Sequence, residues 1–275
     1  MKPRSLILDL FGDYLRFAGS EVRAGDLVAL LATLGVEPAT TRVTLSRLKQ
    51  ESWFTTERVG RETVYRLSDE LLGILDEGRE RIFAPYQDVW DGSWTQVVFH
   101  LPDTDRSIRD QLKRKLAWLG FGPLTASTWM SPRSQLDHAR ALRAEFPAAH
   151  ISVLLARSES IEDDRALVAR CWDLDSLNSD YIDFIDAHRK LAIDANRLVG
   201  EEALRARVEI ISTYRHFPFR DPSLPAPLRP TGWRGEEAHF LFMDVHDALE
   251  PAAVEYVGSV VGADLKNLAL LAKNI

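Results

Sequence analysis

Residues 40–54 read TTRVTLSRLKQESWF, a stretch in which a helical repeat of leucines and two arginines lead directly into a strand-like ending. On a helix, which turns by about 100° per residue, one arc collects the side chains that can pack inward. These are Thr41, Thr44, Leu45 and Leu48. The opposite arc holds Arg42, Val43, Ser46, Arg47 and Gln50. The stretch therefore predicts an amphipathic helix with a basic outer side.

Two further helices are predicted before this one. Apolar residues at helical spacing behind Ser5, a suitable cap, predict a first helix over residues 5–18. The segment AGDLVALLATLG predicts a second, ended by Gly35. Pro38 suits the first turn of the third helix, so the short Gly-Val-Glu connection predicts a helix-turn-helix.

The stretches SWFTTERVG and GRETVYRL alternate in polarity around a turn at Gly60, which predicts a β-hairpin. Three helices followed by a hairpin is the order of a winged helix-turn-helix domain. Such a domain would place Arg42, Val43, Ser46 and Arg47 against base edges in the major groove of DNA. The predicted contacts to the DNA backbone are Thr40, Lys49, Arg58 and Arg61. The alternative interpretation is that these cations only solvate an exposed face.

The charge distribution favours the DNA-binding interpretation. The formal net charge of the chain is −7, but residues 1–66 hold ten Lys/Arg and eight Asp/Glu. Within residues 40–66 there are six basic and three acidic residues. A local basic face on an acidic body suits site-specific binding to a polyanion, because the rest of the surface discourages unspecific adhesion.

The composition predicts a soluble globular protein. The chain has 275 residues, of which 45% are hydrophobic and 27% charged, and a single cysteine, Cys171. One cysteine cannot form an internal disulfide, and no apolar run has the length of a membrane span. Asp9 and Asp13 interrupt the apolar start where a signal peptide would be continuous. We therefore expect a cytoplasmic protein, with Cys171 as a small buried hydrophobe.

The rest of the chain predicts two more domains. Ser68 caps a helix over residues 68–83, and a linker follows at residues 84–93. Strand and helix patterns then alternate in the order β-α-β-β-α-β, which is the ferredoxin-like plan. The remaining residues are mostly helical, interrupted by the proline-rich residues 219–233, and Pro251 suits the first turn of a last helix. The predicted class is α+β, with domains at 1–83, 93–160 and 161–275.

Three stretches together resemble a known family. They are LILDLFGDYLR at residues 6–16, TTRVTLSRLKQESWFTTERVGRETVYRLS at 40–68 and RHFPFRDPSLPAPLRPTGW at 215–233. They are similar to the PaaX family of bacterial repressors, which govern phenylacetic acid degradation and related aromatic catabolism. The resemblance implies a winged helix-turn-helix, a ferredoxin-like domain and a helical C-terminal domain. It also implies a homodimer on palindromic operators that an aryl-acyl-CoA, typically phenylacetyl-CoA, releases from DNA.

A pocket for an acyl-CoA effector should combine cations with an aromatic wall. One candidate is a basic helix with Arg106, Arg109, Lys113, Arg114 and Lys115, for which we favour an ordinary solvated face. The other is the segment around Phe217 and Phe219, and the effector-binding residues predicted there are Arg215, His216, Arg220 and Trp233. The alternative for this segment is that Arg220 pairs with Asp221 or an internal carboxylate and holds the proline-rich loop.

An enzyme interpretation rests on FHLPDTD, where Asp103 and Asp105 follow a predicted strand. Carboxylates there could hold magnesium for phosphodiester cleavage. We favour a helix cap, since Asp-Thr-Asp before a helix is an ordinary cap sequence. The seven histidines show no metal-binding spacing, and no nucleophile elbow or phosphate-binding glycine loop occurs. We therefore expect no catalytic activity, no metal and no cofactor. A structural adaptor remains a third class, against which the basic hairpin argues.

Overall fold

The computed structural model describes residues 1–19, 21–84, 89–102, 104–263 and 265. The predicted α+β class is confirmed, because helices combine with two separate antiparallel sheets. The α-helices are α1 Pro3–Asp13, α2 Ala24–Thr33, α3 Pro38–Gln50, α4 Asp69–Ile82, α5 Arg106–Trp118, α6 Leu136–Glu145, α7 Ile161–Cys171, α8 Leu174–Asp194, α9 Gly200–Tyr214 and α10 Gly235–Val261. The strands are β1 Glu21–Arg23, β2 Phe54–Val59, β3 Glu62–Leu67, β4 Trp94–His100, β5 Gly122–Pro123, β6 Thr128–Ser131 and β7 His150–Ala156.

The chain forms two compact units. Unit 1 consists of Met1–Phe83, Phe184–Arg215 and Glu237–Ile275. Unit 2 consists of Ala84–Asp183 and His216–Glu236. Helices α8 and α10 each contribute residues to both units. The three-domain boundaries inferred from the sequence stay a prediction.

The N-terminal helices match the prediction except at the start of the chain. Helix α1 begins at Pro3 with Lys2 as its N-cap, so the predicted start at Ser5 was wrong. Proline is favoured at this position because its φ is already helical and its missing N–H is not needed. The helix also ends earlier than predicted, at Asp13, and Leu15–Ala18 form a 3-10 turn. The apolar residues of this segment are buried as its spacing predicts: Leu6, Ile7, Leu10, Phe11, Tyr14 and Leu15.

A three-stranded antiparallel sheet follows, in the order β1-β3-β2. The predicted hairpin is confirmed, with Val59 opposite Glu62 and Gly60 at the first loop position with φ of +62°. A type II′ hairpin turn gives this position to glycine. Strand β1, which pairs Val22 with Tyr65, was not predicted, since three residues are too few to show a period-two pattern.

Buried ion pairs in unit 1 join α1 to the C-terminal helices. Asp13 Oδ2 lies 3.4 Å from Arg207 Nη1 of α9, and Asp13 Oδ1 lies 3.1 Å from His246 Nε2 of α10. One turn earlier, Asp9 Oδ1 lies 3.2 Å from Arg215 Nε. Burial raises the pKa of Asp13, but the charges of Arg207 and His246 outweigh it and hold that pKa far below its usual range. Helix α1, which also contacts α3, is thus attached to α9 by charge as well as by apolar packing.

The sheet of unit 2 has the order β5-β6-β4-β7 with antiparallel pairing throughout. With α5 after β4 and α6 after β6, this is the ferredoxin-like plan predicted from the sequence. Its core comprises Val97, Phe99, Leu101, Leu112, Leu116, Phe121, Trp129, Ala139, Leu142, Phe146, Ala149 and Ile151. Leu112 and Leu116 are the buried residues of α5 and pack into this core.

The C-terminal helices differ from the prediction at Pro251, which lies inside α10 rather than at the start of a new helix. Proline removes one backbone hydrogen bond, but Leu249, Ala253 and Val257 are all buried and keep the two halves of α10 packed. Phe217 lies in a separate 3-10 turn after α9 ends at Tyr214. Within the described ranges, no helix combines the length and apolar character that crossing a membrane requires.

Candidate nucleic-acid interface

Helix α3 packs into unit 1 through the side of the helix that was predicted to face inward. Thr41 is fully buried, and Leu45 and Leu48 are each 1% exposed. Helix α3 contacts both α1 and α2, so this arc faces the N-terminal helices. The predicted amphipathic helix is confirmed, and its outer side is left to solvent.

Helix α3 and the hairpin tip contain all eight residues predicted to bind DNA, and each is exposed. They are Thr40, Arg42, Val43, Ser46, Arg47, Lys49, Arg58 and Arg61. The side chain of Val43 is 52% exposed, which is high for an aliphatic residue and places a methyl-bearing group between polar neighbours. Such an arc presents the side-chain chemistry that reads major-groove edges.

The cations of this surface carry no internal counter-charge. Among the residues that the structure describes, none of the five is in an ion pair: Arg42, Arg47, Lys49, Arg58 and Arg61. Two carboxylates of the same segment are bound elsewhere instead. Glu51 pairs with Arg4 at 2.6 Å, and Glu62 pairs with Arg23 at 3.2 Å. Ion pairs with described residues therefore do not neutralise the five cations of α3 and the hairpin tip.

The end of α3 sets the direction of the chain into the hairpin. Ser52 has φ of +63°, and the amide of Trp53 donates to the carbonyl of Leu48 at 3.0 Å. These features form a Schellman cap, which usually contains glycine. The guanidinium of Arg4 lies 4.2 Å from the Trp53 ring centre. Arg4 and Ser52 were missed as positioning residues, because no local pattern links residue 4 to residue 53.

The hairpin tip has a further exposed group that the sequence reasoning missed. Val59 is 59% exposed between Arg58 and Gly60. The signal was available, since alternation along β2 places every second residue outward and an apolar residue there is unusual. An apolar group beside two arginines suits contact with sugar or groove walls.

The predicted effector-binding residues are divided between the two units. Arg215 belongs to unit 1, where it pairs with Asp9 and donates to Ser5. The other three, His216, Arg220 and Trp233, belong to unit 2. Arg220 Nη1 lies 2.5 Å from Asp180 Oδ2, so its pairing with a carboxylate matches the alternative interpretation, although the partner is not Asp221.

Trp233 and Asp221 both contact Tyr181 of α8. The Trp233 ring lies edge-on to Tyr181 at 5.4 Å, and the Tyr181 hydroxyl donates to Asp221 Oδ2 at 2.7 Å. The ring of Phe217 stacks on Tyr181 at 4.3 Å. These contacts hold the proline-rich segment against the first half of α8.

The enzyme interpretation depends on Asp103 and Asp105, of which the structure describes only Asp105. Asp103 lies outside the described residues. Asp105 occupies the N-cap position of α5, but its carboxylate makes no capping hydrogen bond, so the expected cap interaction is absent at this residue. In the described ranges, no group of three or more His, Cys, Asp or Glu could hold a metal ion. On α5 itself, Arg109 donates to the carbonyl of Leu101 at 3.1 Å.

Family models match three consecutive parts of the chain. Residues 2–71 match the model described as PaaX-like protein. Residues 87–168 match the PaaX protein central Cas2-like domain, and residues 172–259 match the PaaX-like protein C-terminal domain. Two of the stretches that carry the resemblance, 6–16 and 40–68, lie in the first matched part, and the third, 215–233, lies in the last.

Two known proteins are similar over most of the chain. The transcriptional repressor PaaX of Escherichia coli K12 is 33% identical, over 92% of this chain and 82% of its own length. A solved structure, the uncharacterized protein Rv0674 from Mycobacterium tuberculosis, aligns with a TM-score of 0.57 and 24% identity, over 86% of this chain and 91% of its own. The second likeness concerns the fold alone. From the three family models and the repressor's identity over nearly the whole length, the chain belongs to the PaaX family of transcriptional repressors.

Proposed function

We propose that the chain is a sequence-specific DNA-binding regulator whose first 83 residues act as a winged helix-turn-helix, with α3 in the major groove and the β2–β3 hairpin as the wing. The observation that carries the proposal is the unpaired, exposed cationic surface on α3 and the hairpin, on an acidic chain. Phosphate contacts supply affinity, and exposed side chains on the helix supply base discrimination.

Each residue of the surface has a defined role in this proposal. Arg42, Val43, Ser46 and Arg47 read bases, because they project from the outer arc of α3. Thr40, Lys49, Arg58 and Arg61 position the duplex through its backbone. Arg58 and Arg61 flank the hairpin turn and can follow a phosphate strand or the minor groove.

The regulator acts as a homodimer on a palindromic operator. One recognition helix covers only a half-site, and two-fold symmetry doubles the number of bases read. The protein is cytoplasmic in this proposal, since its partner is operator DNA.

The genes it represses are those of aromatic acid catabolism of the phenylacetate type, and an aryl-acyl-CoA releases it from DNA. Membership of the PaaX family supports this assignment. Arg215, His216, Arg220 and Trp233 are the effector residues proposed from the sequence. Arg215 pairs with Asp9, and Arg220 pairs with Asp180. These ion pairs weaken the attraction of the two arginines for an anionic ligand.

The test is a gel-shift titration at fixed salt with operator fragments selected from random DNA. Replacing Arg47 with alanine removes a bidentate base contact and should cost about 1–3 kcal/mol on the selected operator, with little loss on other sequences. Replacing Arg61 with alanine should weaken all sequences alike and lower the salt-dependence slope by about 1. Arg205→Ala is the matched control, since Arg205 is an exposed arginine on α9 of the same unit.

The proposal fails if Arg47→Ala and Arg61→Ala both bind the selected operator as tightly as the unchanged protein. It also fails if Arg205→Ala weakens binding as much as they do, since affinity would then reflect net charge alone. Cleavage of the fragments with added magnesium would instead favour the enzyme interpretation.

A further inference from the structure

Unit 2 contains a cleft of about 540 Å³ that the sequence reasoning did not find. It lies where α7 ends and α8 begins, and residues Leu228–Pro230 of the proline-rich segment form its other side. This volume is within the range of about 300–1,000 Å³ that is usual for small-molecule pockets. Every residue that lines it belongs to unit 2.

Two arginines of α7 give the cleft its capacity for an anion. Arg170 is exposed and makes no hydrogen bond or ion pair with any described residue. Arg165 donates only through Nε, to the carbonyl of Pro227 at 3.1 Å, so its terminal amino groups stay available. Guanidinium groups with free terminal donors match the oxygens of a phosphate.

The aspartates at the cleft do not cancel this charge fully. Asp173 Oδ1 accepts from the backbone amide of Ser176 at 3.1 Å and so serves the N-terminus of α8. Asp175 is exposed in the first turn of the same helix. The backbone amides at the start of a helix carry a partial positive charge, which offsets part of the negative charge of a carboxylate in the first turn.

One wall of the cleft is apolar, and its position is set by close packing against β5. Trp172, Leu174 and Leu228 line it. A β-carbon on Gly122 of β5 would lie 2.5 Å from Trp172 Cε2 and 2.7 Å from the β-carbon of Cys171, so only glycine lets these side chains pack there. Burial also raises the pKa of the Cys171 thiol to about 11.

Both sides of the cleft are anchored to unit 2. The Trp94 indole of β4 donates to Asp164 of α7 at 2.7 Å, which attaches α7 to the sheet. On the other side, Arg229 Nε donates to the carbonyl of Leu224 at 2.9 Å and stiffens the turn. A cleft that is already formed loses less entropy when a ligand binds.

We infer that this cleft binds an organic anion that carries both phosphate and an apolar group, with the phosphate on Arg165 and Arg170 and the apolar group on the Trp172 and Leu174 wall. Resting on the proposed function, the ligand is the acyl-CoA effector. The hydrogen bond from Arg165 to the carbonyl of Pro227 joins α7 to the proline-rich segment. A ligand on Arg165 would therefore act on α7 and on the proline-rich segment together.

The experiment measures binding to the full chain by isothermal titration, with phenylacetyl-CoA, coenzyme A and phenylacetate as separate probes. Phenylacetyl-CoA should bind more tightly than either fragment, because only it has both groups. Arg165→Gln and Arg170→Gln should each weaken phenylacetyl-CoA and coenzyme A about tenfold, the effect of one charge-assisted hydrogen bond. They should leave phenylacetate unchanged. Arg140→Gln is the control, since Arg140 is exposed on α6 of the same unit.

Operator binding by each variant is measured in the same preparations and should not change in the absence of ligand. The cleft assignment is overturned if both cleft variants bind phenylacetyl-CoA like the unchanged protein, or if Arg220→Gln alone weakens it. Failure of the unchanged protein to bind phenylacetyl-CoA overturns the ligand class, even where operator binding persists. Failure to bind operator would instead remove the proposed function, while tenfold losses in the cleft variants would still support the cleft.

Discussion

Replacing Arg207 with methionine should strongly destabilise unit 1. The Arg207 side chain is 3% exposed and lies between three partners. Its Nη1 is 3.4 Å from Asp13 Oδ2, its Nη2 is 3.3 Å from Glu250 Oε2, and its Nε donates to the carbonyl of His246 at 3.1 Å. Methionine retains most of the volume and removes the charge, so the variant tests the electrostatic contribution rather than a cavity.

The expected magnitude follows from the burial of Asp13, which is 2% exposed. Removing one partner of a buried ion pair costs about 3–5 kcal/mol, because the other charge stays buried without compensation. Asp13 retains His246 Nε2 at 3.1 Å, and Glu250 is partly exposed, so we expect the lower end of this range. About 3 kcal/mol corresponds to a little more than two powers of ten in the folding equilibrium.

The measurement is urea unfolding followed by circular dichroism at pH 7. Arg205→Met, on the exposed side of α9, should change the free energy of unfolding by less than about 0.5 kcal/mol. The double variant Asp13→Asn, Arg207→Met should recover part of the loss, because no lone charge then remains buried.

The same pair predicts a pH dependence. The pKa of Asp13 is depressed in the folded state, so its contribution is complete above the unfolded value of about 3.9 and is lost as the pH falls below it. The difference between the unchanged protein and Arg207→Met should therefore narrow in acid. Two results would contradict this reasoning. One is that Arg207→Met lowers the free energy of unfolding by less than about 1 kcal/mol at pH 7. The other is that the loss in the double variant equals the sum of the losses in Asp13→Asn and Arg207→Met.

Two further predictions concern Asp9 and Gly122. Burial raises the pKa of Asp9 to about 6, although Arg215 opposes the shift, so the folded state holds this proton more tightly than the unfolded state. The free energy of unfolding should then fall as the pH rises from about 4 to about 6. The urea midpoint of Asp9→Asn should not show this fall. If the midpoints of the variant and of the unchanged protein fall equally with pH, the argument is refuted. Gly122→Ala should lower the free energy of unfolding by about 1–3 kcal/mol through its clash with Trp172. Gly73→Ala, on α4 with nothing within 4 Å, should instead raise it by about 0.5–1 kcal/mol, and a thermal melt that ranks the two in reverse would contradict the packing argument.

The buried ion pairs also link α3, through α1, to the C-terminal part of unit 1. Helix α1 contacts α3 on one side and α9 on another. Asp9 and Asp13 lie one turn apart on α1; Asp13 pairs with Arg207 of α9, and Asp9 pairs with Arg215, the residue that follows α9. A shift of α9 within unit 1 would thus act on α1, which packs against α3.

Features with a local cause were predictable from the sequence. The inward arc of α3, the turn at Gly60 and the cap at Ser68 each depend on residues within a few positions of one another. The order of strands and helices in unit 2 followed from the same periodicities. The exposed cations of α3 were predictable for this reason too, since an apolar arc that packs inward leaves its opposite side to solvent.

Long-range partners were decided only by the tertiary structure. Asp13 and Arg207 are almost two hundred residues apart, and nothing in either local sequence shows that their charges meet. The same holds for Arg215, which pairs with Asp9 of α1 and belongs to unit 1, whereas Arg220 belongs to unit 2. Strand β1 exists because β3 offers it a pairing edge, and Pro251 stays within a helix because Leu249 and Ala253, on either side of it, are buried. Backbone propensity acts over one or two turns, whereas charge pairing, strand pairing and cleft formation depend on which distant surfaces the folded chain brings together.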